Sequence, residues 1–266
     1  MQKIIEVRDL VKRFGDHTAV DNVSFDVMMG EVFGLLGPNG AGKSTTIKML
    51  TTLLPLTAGQ ALVVGYDVTK QPMAVRRLIG YVPQALSSDG NLTGYENLLV
   101  FARLYDVPRA EQEARVREAL MFMGLHDAGD RLVRTYSGGM IRRLEIAQAV
   151  LHHPPVLFLD EPTVGLDPVA RKAVWDHLEH LRQQMGITIL LTTHYMEEAD
   201  HLCQRVAIMH LGRIVVMGTP TELKARVGGE ETTLDDVFTH YTGNTLESGG
   251  GFRETARTRR TARRLG

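Results

Sequence analysis

The sequence has almost no cysteine and no long apolar run. Cys203 is the only cysteine among 266 residues, which excludes a disulfide within the chain and fits a reducing compartment. The apolar segments, such as 156–159 and 187–191, are far shorter than the roughly 18 residues that a membrane-spanning helix needs. The first residues carry scattered charges and no apolar core, so we expect no signal peptide. If the protein serves a membrane process, another chain must supply the membrane-spanning part.

An excess of charge of one sign is also lacking. The net charge is −1, so the chain as a whole offers no electrostatic argument for a nucleic-acid partner, and we expect none. Basic residues are instead concentrated in 252–266, which hold six Arg and one Glu. With the glycine-rich stretch 243–251, they predict a linker and a disordered basic tail over 243–266. The preceding residues, 1–242, are predicted to form the folded domain.

The remaining pattern predicts an α/β fold. Short apolar runs typical of buried parallel strands occur at 32–36, 155–159 and 187–191. Helical periodicity follows Gly42, and residues 92–151 are mostly helical in pattern. We also expect antiparallel strands near the N-terminus, one further strand over 61–68, a helix from Gly42 to a stop at Pro55, and a hairpin around 211–212. The expected architecture is a mainly parallel sheet with an N-terminal antiparallel β subdomain and an α-helical insert over about 85–150.

Residues 37–44 read GPNGAGKS, which matches the P-loop pattern G-x-x-x-x-G-K-[ST] between an apolar strand and a helix. Glycines leave several backbone N–H groups free to converge on one anion, and a helix start adds its positive end. The motif predicts a nucleotide site in which Lys43 reaches the β- and γ-phosphates and Ser44 ligates Mg²⁺. The predicted loop residues are Gly37, Pro38, Asn39, Gly40, Ala41, Gly42, Lys43, Ser44 and Thr45.

A second acidic motif ends a predicted buried strand. Residues 156–161 read VLFLDE, so Asp160 and Glu161 follow four apolar residues. Alone, such a pair could simply cap the next helix, but a P-loop nucleotidase needs an acidic residue at this place. Because successive strand side chains point to opposite faces, the two acids can have different roles. Asp160 is predicted to support Mg²⁺, and Glu161 to accept a proton from the attacking water or to orient it.

Further short motifs follow in order along the chain. They are KRFG (12–15), YVPQ ending at Gln84, YSGGM (136–140), GLD (165–167) and TH (193–194). Together with the two motifs above, they resemble those of the ATP-binding cassette (ABC) ATPases over nearly the whole chain. This resemblance implies ATP as the nucleotide, Phe14 stacked on adenine, Gln84 in the Mg²⁺ shell, and Asp167 at the nucleotide. It also implies that His194 bonds the γ-phosphate and steadies Glu161, so that Glu161, His194, Lys43 and Gln84 form the catalytic group.

The motif YSGGM predicts a second anion-binding helix end. Ser137 has the position of an N-cap, and Gly138 and Gly139 leave backbone N–H groups open. In a lone chain this could be only a well-capped helix. The resemblance implies that two cassettes pair head to tail and that Ser137, Gly138 and Gly139 of one cover the γ-phosphate held by the other, most simply in a homodimer. Two residues depart from the usual family pattern: Met140 replaces Gln, and Phe14 replaces Tyr.

Residues 133–168 and 234–243 resemble the drug-resistance subgroup of ABC exporters, of the daunorubicin-resistance type. This implies a separate integral-membrane permease, export of a hydrophobic compound, and a peripheral position on the cytoplasmic face of the membrane. The alternatives are an importer subunit, a soluble ABC ATPase acting on ribosomes or DNA, and a small-molecule kinase that uses the P-loop alone. A DNA-repair type is disfavoured because only 92 residues separate Ser44 from Ser137, without heptads. A kinase would leave Gln84 and His194 without a role.

Overall fold

The computed structural model describes residues 2–228 and 231–243. Apart from Gly243, the predicted linker and basic tail lie outside the described residues. The strands are β1 (Lys3–Phe14), β2 (His17–Met28), β3 (Val32–Leu36), β4 (Ala58–Val63), β5 (Tyr66–Asp67), β6 (Ile79–Val82), β7 (Val156–Asp160), β8 (Thr188–Thr193), β9 (Arg205–His210) and β10 (Arg213–Gly218).

The helices alternate with these strands in the second half of the chain and form a group in the middle. They are α1 (Lys43–Leu50), α2 (Pro72–Arg77), α3 (Gly94–Leu104), α4 (Arg109–Phe122), α5 (Gly138–Val150), α6 (Pro168–Met185), α7 (Met196–Leu202), α8 (Pro220–Val227) and α9 (Leu234–Thr242). Within the described ranges, none of them has both the length and the apolar character needed to cross a bilayer.

The strands form two sheets, as the sequence predicts. A six-stranded sheet has the order β10-β9-β3-β8-β7-β6 and is parallel except for β10, which pairs antiparallel with β9. A four-stranded antiparallel sheet has the order β2-β1-β4-β5. Every residue of β3, β7 and β8 is buried, because both faces of a parallel sheet are covered.

The parallel sheet separates two apolar clusters. On one face, Phe33 and Phe158 pack with the antiparallel sheet and α1, and the ring of Phe33 stacks on Phe25 with centroids 5.3 Å apart. On the other face, Leu157 and Leu159 pack with the helices. Neighbouring residues of β7 therefore enter opposite clusters, as the two-residue period of a strand requires. The predicted α-helical insert is confirmed: α3, α4 and α5 lie between β6 and β7.

Two local predictions are wrong. The single strand predicted over 61–68 is a hairpin, because Val64 (φ 51°) and Gly65 (φ 78°) adopt left-handed conformations that reverse the chain between β4 and β5. The helix expected to run to Pro55 ends at Leu50. Thr52 has φ 63°, which stops the helix before the proline is reached.

Candidate active site

Three strand ends bring the predicted site residues together. In the parallel sheet, Leu36 of β3 pairs with Thr193 of β8, and Asp160 of β7 pairs with Thr192. The carboxyl ends of the three strands therefore meet at one edge, where α/β sheets bind ligands. The P-loop follows β3, the two acids end β7, and His194 follows β8. Sequence positions more than a hundred residues apart thus form one cluster.

The P-loop needs its glycines for backbone conformation. Gly40 (φ +81°) and Gly42 (φ +102°) are left-handed, and a Cβ atom on Gly42 would lie 2.5 Å from the carbonyl oxygen of Ala19. Gly42 is also the N-cap of α1, and within the described residues no side-chain hydrogen bond caps this helix end. Those donors and the positive end of the helix are suited to an anion such as a phosphate group.

Lys43 and Glu161 form a buried ion pair. Lys43 Nζ lies 3.2 Å from Glu161 Oε1 and donates to the carbonyl oxygens of Gly37 (2.8 Å) and Pro38 (3.1 Å). Burial lowers the pKa of Lys43, although the charge of Glu161 acts in the opposite direction. Burial alone would raise the pKa of Glu161, but His194 and Lys43 together hold it below its ordinary value. Glu161 is therefore ionised at neutral pH.

The second oxygen of Glu161 faces two further predicted residues. Gln84 Nε2 donates to Glu161 Oε2 at 3.2 Å, and His194 Nδ1 lies 3.2 Å from the same oxygen. The backbone of Glu161 is left-handed (φ 50°), which is unfavourable for a residue with a side chain. Its N–H holds this position by donating to the carbonyl oxygen and the hydroxyl of Thr192. This geometry turns the carboxylate towards Lys43 and His194.

Asp160 points to the other side of the strand end. Its Oδ1 accepts hydrogen bonds from Ser44 Oγ (2.8 Å) and Thr192 Oγ1 (2.7 Å). Hydroxyl and carboxylate oxygens are the ligand type that Mg²⁺ prefers, so this pair fits the ion. Among the described residues, no group of three or more His, Cys, Asp or Glu side chains could hold a metal.

A buried tether from α5 holds the backbone at Gln84, and sequence reasoning missed it. Arg142 Nη1 donates to Pro83 O and Arg142 Nη2 to Gln84 O, both at 2.7 Å. Arg142 Nη1 also bonds Glu145 Oε2 at 3.0 Å, and Glu145 Oε1 accepts from the backbone and hydroxyl of Ser87. Burial lowers the pKa of Arg142 and raises that of Glu145. The only signal in the sequence is an Arg and a Glu three residues apart in α5, a spacing that is also typical of a surface ion pair.

The remaining predicted residues lie outside this cluster. Phe14 is 49 % exposed at the end of β1, with Lys12 Nζ 5.0 Å from the centre of its ring. Ser137 is exposed and caps α5, as predicted, by accepting a hydrogen bond from Met140 N. Asp167 Oδ1 caps α6 by accepting from Val169 N and Ala170 N. The predicted nucleotide contacts stay predictions for Phe14, Ser137, Gly138, Gly139 and Asp167.

Glycine is required at position 139 of the YSGGM segment as well. A Cβ atom on Gly139 would lie 2.8 Å from Cβ of Ala170, in the first turn of α6. On Gly138 it would lie 3.4 Å from Leu166 Cδ2. The start of α5 therefore packs closely on the GLD segment and the start of α6 of the same chain.

Comparisons with known proteins agree with this site. A family model described as ABC transporter matches residues 20–164, which hold the P-loop, Gln84, the YSGGM segment and both acids. The daunorubicin/doxorubicin resistance ATP-binding protein DrrA of Streptomyces peucetius is 49 % identical over 232 residues, 87 % of this chain and 70 % of that protein. The linearmycin resistance ATP-binding protein LnrL of Bacillus subtilis (strain 168) is 40 % identical over 227 residues, 85 % of this chain and 73 % of that protein.

A solved structure agrees over a similar span. The structure of an ATP-binding subunit of an ABC transporter matches with a TM-score of 0.79 and 32 % identity, and the match covers 90 % of this chain and 99 % of that one. Sequence, fold and the grouping of Lys43, Asp160 and Glu161 at one sheet edge thus agree, and the predicted family is confirmed. The chain belongs to the ABC transporter family and is an ATP-binding, ATP-hydrolysing subunit.

Proposed function

We propose that this chain hydrolyses ATP to power the export of a hydrophobic drug or antibiotic through a separate permease. The observation that carries the ATPase assignment is the buried cluster in which Lys43, Gln84 and His194 all contact the carboxylate of Glu161. The export assignment is supported by relatives whose names specify resistance to daunorubicin, doxorubicin and linearmycin. Neither the importer nor the ribosome- or DNA-acting alternative has comparable support.

The cluster supports a division of roles during hydrolysis. Backbone N–H groups of the P-loop and Lys43 bind the β- and γ-phosphates and offset the charge that develops on them. Glu161 is ionised, so it can accept a hydrogen bond from the attacking water and orient it towards the γ-phosphorus. His194 and Gln84 hold this carboxylate from the other side, at 3.2 Å each. Catalysis then depends mainly on the orientation of the attacking water and on neutralisation of the phosphate charge.

Ser44 and Asp160, with Gln84 as a further ligand, would hold Mg²⁺. The ion, when bound, would neutralise charge on the β- and γ-phosphate oxygens. The chain's own contribution is the hydrogen bond from Ser44 Oγ to Asp160 Oδ1, which fixes both oxygens at the start of α1. The amide nitrogen of Gln84 bonds Glu161, which leaves its amide oxygen as the group available to the ion.

Two copies of the chain would share each ATP. Ser137 and Gly138 are exposed at the start of α5, and they can place N–H donors and a positive helix end on an anion held by a second chain. Phe14 has an exposed ring face on which adenine can stack. In this arrangement ATP stabilises a head-to-tail homodimer, and hydrolysis releases it. The dimer would act on the cytoplasmic face of the membrane, bound to a permease formed by another chain.

Transport into inverted membrane vesicles tests this proposal. Vesicles containing the chain and an integral-membrane protein that co-purifies with it should accumulate a fluorescent anthracycline when ATP is added. Vesicles with Glu161→Gln should bind ATP but hydrolyse it at least a hundredfold more slowly and accumulate none, because the water loses its oriented acceptor. Unchanged turnover in the Glu161→Gln protein would reject the assigned base. Normal turnover without accumulation of any hydrophobic test compound would reject export. Recovery of the chain with ribosomes alone would favour the soluble alternative.

A further inference from the structure

Glu198 is a buried acidic residue to which the proposed reaction assigns no role. Its side chain on α7 is completely buried. Its Oε1 accepts a hydrogen bond from Thr163 Oγ1 at 2.7 Å and another from Trp175 Nε1 at 3.0 Å. Thr163 follows Glu161 by two residues, and Trp175 lies in the middle of α6. One carboxyl group thus links the segment after the proposed base to the helix that follows it.

The same carboxyl group also contacts the segment that carries His194. The hydroxyl of the buried Thr193, one residue before His194, is near enough to oppose the rise that burial causes in the pKa of this carboxyl group. Thr193 Oγ1 in turn accepts a hydrogen bond from Tyr195 N at 2.9 Å, which folds the chain around His194. Glu198 therefore connects the two segments that bring Glu161 and His194 within 3.2 Å of each other.

We infer that Glu198 is a positioning residue for ATP hydrolysis, whose buried carboxyl group fixes the segment after Glu161 relative to the segment before His194. This inference rests on the proposed roles of Glu161 and His194. Glu198 contacts neither of them directly in the hydrogen bonds of the described residues, and acts through Thr163 and Thr193. Because catalysis by position depends on sub-ångström placement, a small loss of order here should slow hydrolysis without weakening ATP binding.

The geometry also indicates that the carboxyl group of Glu198 is protonated when it holds these two segments together. Oε2 is buried and makes no hydrogen bond within the described part of the chain, a costly position for a charged oxygen. Burial raises the pKa of Glu198, against the opposing effects of Thr193, Thr163, Trp175 and the charge of Arg171. In the protonated form, Oε2 gains a donor that can be directed to the hydroxyl of Thr193, which has a second lone pair available.

Several other ionisable groups lie near Glu198 in the described part of the chain. Arg171 on α6 stacks over the ring of Tyr195 at 4.3 Å. The thiol of Cys203 and the guanidinium of Arg142 also lie within electrostatic range of the carboxyl group. His201 packs its ring on Trp175, with centroids 5.0 Å apart. A variant that changes Glu198 alone separates its contribution from those of these neighbours.

Trp175 provides a direct optical measurement, since it is the only tryptophan in the chain and its indole N–H bonds Glu198. Emission of the full chain is followed across the pH range in which it stays folded, for the wild type and for Glu198→Gln. Glutamine keeps the acceptor oxygen, adds an N–H donor and cannot ionise. We expect an emission transition above the ordinary pKa of a glutamate in the wild type and its loss in Glu198→Gln. Identical curves for the two proteins would overturn protonation of Glu198.

Steady-state kinetics tests the positioning role. Glu198→Leu should lower kcat about tenfold or more and leave KM for ATP within about twofold, because the P-loop is not affected. Glu198→Gln should retain most of the wild-type kcat, and the exposed neighbour Glu197→Leu should retain all of it. Thr163→Val, which keeps Glu198 and removes one donor, should lower kcat as well. Wild-type kcat in both Glu198→Leu and Thr163→Val, or a kcat in Glu198→Gln as low as in Glu198→Leu, would overturn the inference.

The two measurements separate this inference from the proposed function. The emission of Trp175 does not depend on ATP hydrolysis, so it reports on Glu198 even if Glu161 is not the base. Conversely, a Glu161→Gln protein with normal turnover would reject the proposed base without changing the emission curves.

Discussion

Lys43 Nζ lies 3.2 Å from Glu161 Oε1, and each of the two side chains is only 4 % exposed. A buried ion pair is maintained only when the remaining hydrogen-bonding groups of both partners are satisfied. Lys43 meets this condition through two P-loop carbonyl groups. Glu161 Oε2 accepts a hydrogen bond from Gln84 Nε2, and His194 Nδ1 lies 3.2 Å from the same oxygen. A bound triphosphate would compete with Glu161 for Lys43. Phosphate binding and release of the proposed base are therefore coupled through one contact.

Removal of Lys43 should leave an uncompensated buried carboxylate. We expect Lys43→Met to abolish ATP binding and to lower the free energy of unfolding by about 3 kcal/mol without nucleotide. The double variant Lys43→Met/Glu161→Gln should recover much of that stability but no ATP binding. Urea denaturation of the three proteins measures this. Equal stability of wild type and Lys43→Met would contradict the ion pair.

Arg142 should affect catalysis by holding the backbone of Gln84, not by contacting the nucleotide. Arg142→Met removes two hydrogen bonds to the backbone at residues 83–84 and leaves Glu145 buried without its partner. We expect a loss of about 3 kcal/mol in stability and a kcat lowered more than tenfold. Arg142→Lys keeps the positive charge but cannot donate from two nitrogens to two carbonyl oxygens at once. It should therefore recover only part of the lost stability and part of the lost kcat. Full activity in Arg142→Met, measured on protein shown to be folded, would reject the tether.

Ser137 has a capping role and a proposed phosphate-binding role, and two substitutions separate them. Ser137→Ala should lower the free energy of unfolding by about 1 kcal/mol and also reduce ATP hydrolysis. Ser137→Asp should keep the cap and the stability, because aspartate is an equally good N-cap residue. Its negative charge should nevertheless repel a phosphate held by a second chain and abolish hydrolysis. An active Ser137→Asp protein would show that no phosphate approaches this helix end.

The depressed pKa of Glu161 should appear in the acid stability of the protein. A carboxylate whose pKa is lower in the folded than in the unfolded state stabilises the fold above its ordinary pKa, and this contribution is lost as the pH falls through the folded value. The free energy of unfolding of the wild type should therefore decrease more steeply on acidification than that of Glu161→Gln. Denaturation midpoints measured across the acid range test this, and parallel curves would contradict it.

Sequence patterns predicted the parts of the site whose residues are adjacent in the sequence. The P-loop places its glycines and Lys43 within eight residues, 37–44, and Asp160 and Glu161 come at the end of a buried strand. Both groups are therefore visible as short motifs. That β3, β7 and β8 lie side by side follows from their apolar character and the rule for parallel strands.

The contacts that support the site could not be read from the sequence. Glu198 is one of two adjacent acids in a short helix and resembles a solvent-exposed residue, since its partners Thr163 and Trp175 are more than twenty residues away. Arg142 and Glu145 likewise resemble a surface ion pair on a helix until the backbone at residues 83–87 is packed against them. The left-handed conformation of Val64 has no local signal, because a β-branched residue rarely adopts it. These features depend on tertiary packing.

The oligomeric state of the Glu161→Gln protein with ATP tests the central claim most directly. This protein should hydrolyse ATP very slowly, so the nucleotide should stay bound between two chains. Light scattering coupled to size-exclusion chromatography should show a dimer that forms with ATP, is absent without nucleotide, and is lost in Glu161→Gln/Ser137→Asp. A monomer that retains bound ATP would contradict the proposal that two chains build each site.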